Sequence, residues 1–295
     1  MEDLMKYVQL RAFHYVAITG GFSLAAKALY LTQPAISDQV RSLEMEYDVR
    51  LFNRDKKKTT LSPSGKKLLE ITRQMFEIES QALELLTESK VIKSGRLSII
   101  ADSTFHITKI LTHFRQAYPQ IFISITVGNT ETVVRNLNSY EADIGVGALS
   151  ELPDGHEYDV IKLGSTPIVA FAETNGKFGQ LKSIQMHELT KLPLIMREPG
   201  SKTRSKFEAL AKKMRIKPLI HIEAEGREAV REIVASNDGI GIVSEAEFGR
   251  DTRFVKIPII NAKLTMDEAI ISLNKRKNNR LIHAFMQLAR DIVRA

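Results

Sequence analysis

Between positions 33 and 41 the sequence offers its first recognisable chemistry. Gln33, Pro34, Ser37, Asp38 and Arg41 share one side of a helical pattern whose other side carries Ile36, Val40 and Leu43 at i, i+4 and i+7. Short polar side chains let a helix approach base-pair edges, and the Gln amide and Arg guanidinium match the hydrogen-bonding edges of adenine and guanine. Thr32 can cap this helix, and Pro34 is tolerated in its first turn, where amides lack helical acceptors. Upstream, Ser23 can cap a shorter helix whose packing face is Ala25, Ala26 and Leu29, with Leu31 in the turn. Such a pair also occurs inside ordinary bundles. Its neighbour tilts the reading: Arg54, Lys56, Lys57 and Lys58 sit at the tip of a hairpin between Leu51-Phe52 and Thr59-Thr60-Leu61. Cations there can grip phosphate or follow a minor groove, adding affinity with little sequence information. Asp38 is the odd member; it repels phosphate, accepts from cytosine or caps a neighbour, and the pattern leaves these open.

A second group stands where apolar strands end and helices begin, the usual place for ligands in open α/β sheets. It comprises Asp102, Ser103 and Thr104; Asn129 and Thr130; Arg197, Ser201, Thr203 and Arg204; and Glu225 and Arg227. Hydroxyls, helix amides and guanidinium groups together favour a small anion, whether carboxylate, phosphate or phosphonate. Ser103, Thr130 and Ser201 are equally suited to plain helix capping, and each Arg to a surface ion pair. Periodicity does not say which Arg faces a cleft.

The elements behind these groups fall into three parts. Residues 1–63 are helical in pattern and end in the basic hairpin; residues 64–94 contain almost no breakers. Within that run Leu68, Ile71, Met75, Ile78, Ala82 and Leu85 alternate spacings of three and four, a heptad seam. A helix from Ser64 to Val91 would be about 42 Å long at 1.5 Å per residue, and its single narrow stripe requires a partner helix. From 95 to 295, apolar strands alternate with amphipathic helices, which predicts a mainly parallel sheet covered on both faces. The strands are 96–101, 121–127, 142–148, 193–196, 219–224 and 239–244; helices are expected over 106–118, 132–139, 202–214 and 227–237. Asp159 to Ala172 and Phe254 to Leu273 read as crossovers between two lobes, about 95–164 plus 267–295 and about 165–266.

Composition narrows the rest. Among 295 residues there is no Cys, so disulfides and thiolate metal sites are ruled out. Net charge is +7, compatible with a polyanionic partner without identifying one. The first residues show no export signal and no apolar run suits a membrane span, which makes a soluble cytoplasmic protein the expectation. His106 and His113 are seven apart, which suits no shared metal; solvent-facing or capping roles are expected, with no metal, cofactor or catalytic residue. No G-x-S-x-G elbow or Gly-rich phosphate loop argues for an enzyme, and the absent export signal argues against a solute-binding transport protein.

The stretch "QLRAFHYVAITGGFSLAAKALYLTQPAISDQVRSLEMEYDVRLFNRDKKKTTLSPSGKKLL" resembles the N-terminal domain of LysR-type transcriptional regulators without a gap. It carries F-S-x-A-A-x-x-L-x-x-[TS]-Q-P-A-[IV]-S, L-F-x-R before the hairpin and L-[ST]-x-x-G before the long helix. The resemblance implies an α+β multidomain chain: a winged helix-turn-helix, a linker helix that pairs subunits, and a two-lobed α/β domain of the type 2 periplasmic binding protein kind. It further implies a DNA-binding activator that works as a homodimer, often a tetramer, and binds a small effector between the lobes. More narrowly, "LTQPAISDQVRSLEMEYDVRLF", "MREPGSKTRSKFEAL" and "REAVREIVASNDGIGIVSEAEFG" are similar to a LysR branch associated with aminoethylphosphonate catabolism. That implies a zwitterionic phosphonate, with Asp102 or Glu225 as partners of its ammonium group.

Overall fold

A computed structural model describes residues 2–53, 59–86, 95–148, 157–236 and 239–294. The chain divides into two compact units, residues 1–90 and 91–295. Arg54, Lys56, Lys57 and Lys58 lie outside the described residues, as does the side chain of Leu85.

The first unit begins with three helices: α1 (Glu2–Thr19), α2 (Phe22–Leu29) and α3 (Gln33–Glu46). Strands β1 (Phe52–Asn53) and β2 (Thr60–Leu61) then pair antiparallel, and α4 (Pro63–Leu86) follows. Phe13 and Phe52, with ring centroids 5.4 Å apart, anchor a core that takes Ala25 and Ala26 from α2 and Ile36, Val40 and Leu43 from α3. Gly65 fits where α4 crosses β1, because an added Cβ would stand 2.1 Å from the Leu51 carbonyl oxygen. Ser62 joins the same corner, accepting a bond from the Gly65 amide and donating to the Arg50 carbonyl.

The long helix differs from the single-stripe expectation. It has a second apolar face, Leu69, Thr72 and Phe76, which packs on α1 through the His14–Phe76 and Tyr7–Phe76 ring contacts. His14 is buried there, its Nδ1 lying 3.1 Å from the Thr72 hydroxyl. Burial, assisted by the charge of Arg73, pushes its imidazole down to about 4. The heptad seam lies on a different face: Ile71 and Ile78 are 62% and 66% exposed, Ala82 is exposed, and Leu68 and Met75 are half-buried.

In the second unit the elements follow the expected alternation. They are β3 (Gly95–Ala101), a 3-10 turn (Thr104–Ile107), α5 (Thr108–Ala117), β4 (Ile121–Val127), α6 (Thr130–Asn138), β5 (Ile144–Ala148) and β6 (Tyr158–Glu173). Then come β7 (Ile184–Gln185), α7 (Met186–Leu189), β8 (Leu194–Arg197), α8 (Lys202–Lys213), β9 (Ile220–Ala224) and α9 (Arg227–Ser236). The last are β10 (Ile240–Ser244), α10 (Glu245–Phe248), β11 (Phe254–Ile257), β12 (Ile259–Ile260), β13 (Thr265–Leu273) and α11 (Arg280–Arg294). The main sheet runs β4-β3-β5-β13-β6-β10-β8-β9, with β11 added on β6.

Two strands tie the lobes together. The first part of β6 pairs with β13, and its second part, from Ile168 on, pairs with β10 and β11. Each lobe keeps its own core. One packs Phe114 and Phe285 between α5 and α11, and the other centres on Phe207 and Met196. The parallel ladders β4-β3-β5 and β9-β8-β10 therefore point their carboxyl ends toward a common seam where the crossovers pass.

Candidate functional site

The exposed side of α3 is built by its own capping. The Thr32 hydroxyl accepts from the Ala35 amide at 3.4 Å, and Pro34 occupies the first turn. Ile36, Val40 and Leu43 then face the core, which turns Gln33, Pro34, Asp38 and Arg41 to solvent and leaves Ser37 half-buried. Tyr30 takes the left-handed conformation (φ 56) between α2 and α3, so the turn is tight. Ser23 does not cap α2. Gly21 precedes that helix without a side-chain cap, and Ser23 lies exposed inside its first turn.

At the lobe seam the sequence-predicted residues separate into two sets. Asp102, Ser103, Arg197, Ser201 and Thr203 are buried together with half-buried Asn129, Thr130 and Arg227. Thr104 and Glu225 are exposed instead. Arg204 is engaged elsewhere, bonding Glu208, Glu223 and the Arg197 carbonyl at 2.8, 2.5 and 2.8 Å.

Arg197 is the centre of the buried set. Its Nη1 donates to Asp102 Oδ1 at 2.6 Å, from the end of β8 to the end of β3 across the seam. Its Nη2 donates to Glu198 Oε1 at 2.8 Å. Burial works against the guanidinium's charge, but Asp102 and Glu198 outweigh it and hold its proton above the usual range. Glu198, which the sequence did not single out, also accepts from Asn129 Nδ2 at 3.2 Å and from the Gly226 amide at 3.0 Å. Burial opposes its ionisation, yet the bonds from Arg197 and Gly226 keep the carboxyl below the usual range.

The starts of α6 and α8 meet at this point. Gly200 has φ +94, and a Cβ on it would lie 2.9 Å from Asn129 Nδ2. Asn129 caps α6 by accepting from the Thr132 amide at 3.0 Å. The Thr130 and Ser201 hydroxyl oxygens are buried and have no hydrogen-bond partner among the described residues, so Ser201 is not the helix cap its position suggested. Arg227, at the start of α9, donates to the Asp102 carbonyl at 3.2 Å and to Glu247 Oε2 at 2.7 Å. Phe171, Thr203, Val230, Ile242 and Val243 line a narrow recess beside these arginines.

His106 is neither solvent-facing nor a cap. Its Nε2 lies 3.2 Å from Glu247 Oε1 and 3.9 Å from Glu268 Oε1. Burial, then the facing Glu247 carboxylate, push the Glu268 carboxyl up to about 7. For Glu247 burial also opposes ionisation, but His106 and Arg227 together bring it below the usual range.

Comparison with known proteins agrees with both halves of this geometry. Residues 7–66 match the model described as bacterial regulatory helix-turn-helix protein, lysR family, and residues 92–294 match the LysR substrate binding domain. The chain belongs to the LysR family. It is 30% identical to the transcriptional activator CmpR of Synechocystis over 80% of this chain and 78% of that protein. It is also 30% identical to the transcriptional regulator CfxR of Cupriavidus necator, over 92% and 86% of the two chains. Among solved structures, full-length OxyR from Pseudomonas aeruginosa superposes with a TM-score of 0.75 at 19% identity, covering 96% of this chain and 93% of that one. Full-length CbnR in complex with its target DNA gives 0.64 at 20% identity, over 97% and 99%.

This LysR-family chain is therefore a DNA-binding transcriptional regulator with an effector-binding domain, and its relatives are named regulators, not enzymes. No described helix is long and apolar enough to cross a membrane. At the seam, sequence reasoning found Arg197, Asp102 and Arg227 but missed Glu198, Glu247 and Glu268. Glu198 had a usable signal, since it follows Arg197 at a strand end. The other two acids are drawn in by pairing across more than 140 positions of sequence from His106, which no local pattern encodes.

Proposed function

We propose that this LysR-family regulator is switched by a small anion that takes the place of the Glu198 carboxylate between the lobes. The observation that carries the reading is the set of bonds around that carboxylate. A guanidinium, a side-chain amide and a helix-start amide converge on Glu198, which is the donor set an external carboxylate, phosphate or phosphonate requires. The unpartnered hydroxyls of Thr130 and Ser201 adjoin it in sequence, next to Asn129 and three residues after Glu198, and supply further donors.

Arg197 and Arg227 are already matched by Asp102, Glu198 and Glu247, so neither guanidinium is left uncompensated. An effector must displace a carboxylate and not simply fill a basic hole, which favours a ligand that also carries a cationic group, such as a zwitterionic phosphonate. Displacing Glu198 breaks its link to Asn129 on the other lobe and shifts the population of lobe closures. The change passes to DNA through subunits paired along α4, as a homodimer or a tetramer, with α3 in the major groove and the 54–58 tip on backbone or minor groove. By analogy with CmpR, the outcome is activation.

Glu198→Ala tests the site. The vacated donors should be rescued by small anions, so acetate, phosphate or methylphosphonate should raise the melting temperature of the variant more than that of the wild-type chain. An effector at 100 times its Kd adds about 2.7 kcal/mol. If no carboxylate, phosphate or phosphonate stabilises either protein, the reading is wrong. On the DNA side, Gln33→Ala or Arg41→Ala should cost about 1–3 kcal/mol per lost bidentate contact and relax base preference, read by anisotropy on a panel of single-base operator variants. An unchanged preference profile would place recognition on another surface.

A further inference from the structure

We propose that His106, Glu247 and Glu268 form a binding site for a divalent transition-metal ion at the lobe seam. One ligand atom from each of the three lies within 4.8 Å of the others. The residues come from three elements: the turn after β3, the short helix after β10, and crossover strand β13. An ion in this position would fasten one lobe to the other.

The distances suit an ion. Metal–ligand bonds of about 2.0–2.2 Å hold tetrahedral ligand atoms roughly 3–4 Å apart. His106 Nε2 is 3.2 Å from Glu247 Oε1 and 3.9 Å from Glu268 Oε1, and the third separation closes when an ion offsets the repulsion between the carboxylates.

Glu268 supplies an independent indication. Its side chain is 8% exposed, and among the described residues nothing donates a hydrogen bond to it. Its ion-pair contact, His106 at 3.9 Å, is too long for one. A buried carboxylate without a donor is costly unless it takes up a proton or a cation completes it. The β13–β6 ladder slips register beside this group, between Glu268 and Ala269, with the extra residue, Leu163, on β6.

The outer contacts leave the right atoms available. Arg227 holds Glu247 by Oε2 at 2.7 Å, which frees Oε1 to face His106. Such outer partners orient metal ligands. One imidazole with two carboxylates suits borderline ions such as zinc, iron or cobalt better than magnesium or calcium.

Cobalt(II) is the probe, added to the chelator-treated full-length protein and followed by visible absorption and titration calorimetry. One ion per chain should bind to the wild type. Glu268→Gln, which keeps the side-chain shape, and His106→Ala should each weaken it at least tenfold, while His113→Ala leaves affinity unchanged. Circular dichroism confirms that each variant is folded. A wild-type chain that takes up no cobalt, or takes it up equally well with Glu268→Gln and His106→Ala, overturns the proposal. Effector binding is read separately by anion rescue of Glu198→Ala, so either idea can fail alone.

Discussion

Arg197→Met is expected to destabilise the 91–295 unit by about 3–5 kcal/mol, the range for breaking a buried ion pair from one side. The substitution removes two short bonds, at 2.6 Å to Asp102 and 2.8 Å to Glu198, but the larger cost is what remains. Asp102 is only 8% exposed, and its other ion-pair contact among the described residues is Arg227 Nη2 at 3.9 Å, beyond hydrogen-bond reach. An uncompensated carboxylate would then sit between the lobes. The double variant Arg197→Met with Asp102→Asn should recover most of the loss, because the stranded charge is gone and the volume is kept. Urea unfolding followed by tryptophan-independent far-UV circular dichroism measures both, since the chain has no Trp. Strict additivity of the single substitutions in that cycle would mean that the two residues do not interact across the seam.

The same pair illustrates what local sequence can and cannot express. Arg197 and Asp102 each stand at the end of an apolar strand, and that regularity made both visible as candidates. Parallel strands with helices on both faces can place their functional ends only on one side, so the pattern "PLIM" followed by Arg predicts location without predicting partner. Thr104, Arg204 and Glu225 obey the same rule and still miss the seam. One residue along a turn, or one position round a helix, rotates a side chain from cleft to solvent, as Thr104 beside Ser103 shows.

The long helix teaches a related lesson. A heptad read from Leu68, Ile71, Met75 and Ile78 was legible because its spacing is regular. The face formed by Leu69, Thr72 and Phe76 was not, because it contains a Thr and serves α1 through aromatic contacts with Tyr7 and His14. Ser23 failed as a cap for a simpler reason: the helix starts after Gly21, at Phe22, two residues earlier than a Ser23 cap would set. The His106–Glu247–Glu268 group lies furthest from legibility, since three lone residues on separate elements meet only once the crossover strands have paired.

Replacing both Ile71 and Ile78 with Asp should raise the dissociation constant for self-association of the chain by at least about a thousandfold. Both side chains are more than half exposed on α4, on a face turned about 140° round the helix from the one that holds α1. Full burial of an Ile contributes about 1.5–3 kcal/mol, and twofold pairing buries each residue in both chains. Four such side chains exceed the roughly 4 kcal/mol that a thousandfold change requires, before the cost of burying the new carboxylates is added. The α1 contacts are untouched, so the first unit should keep its helical content and fold. DNA affinity should fall along with association, because one recognition helix alone forfeits the second half-site. Ile71→Leu with Ile78→Leu keeps the apolar area and should leave both properties near wild type. Sedimentation equilibrium and anisotropy titrations on the same preparations decide the matter. An Asp variant that stays associated would move the pairing surface off α4 and remove the route proposed here from effector to operator.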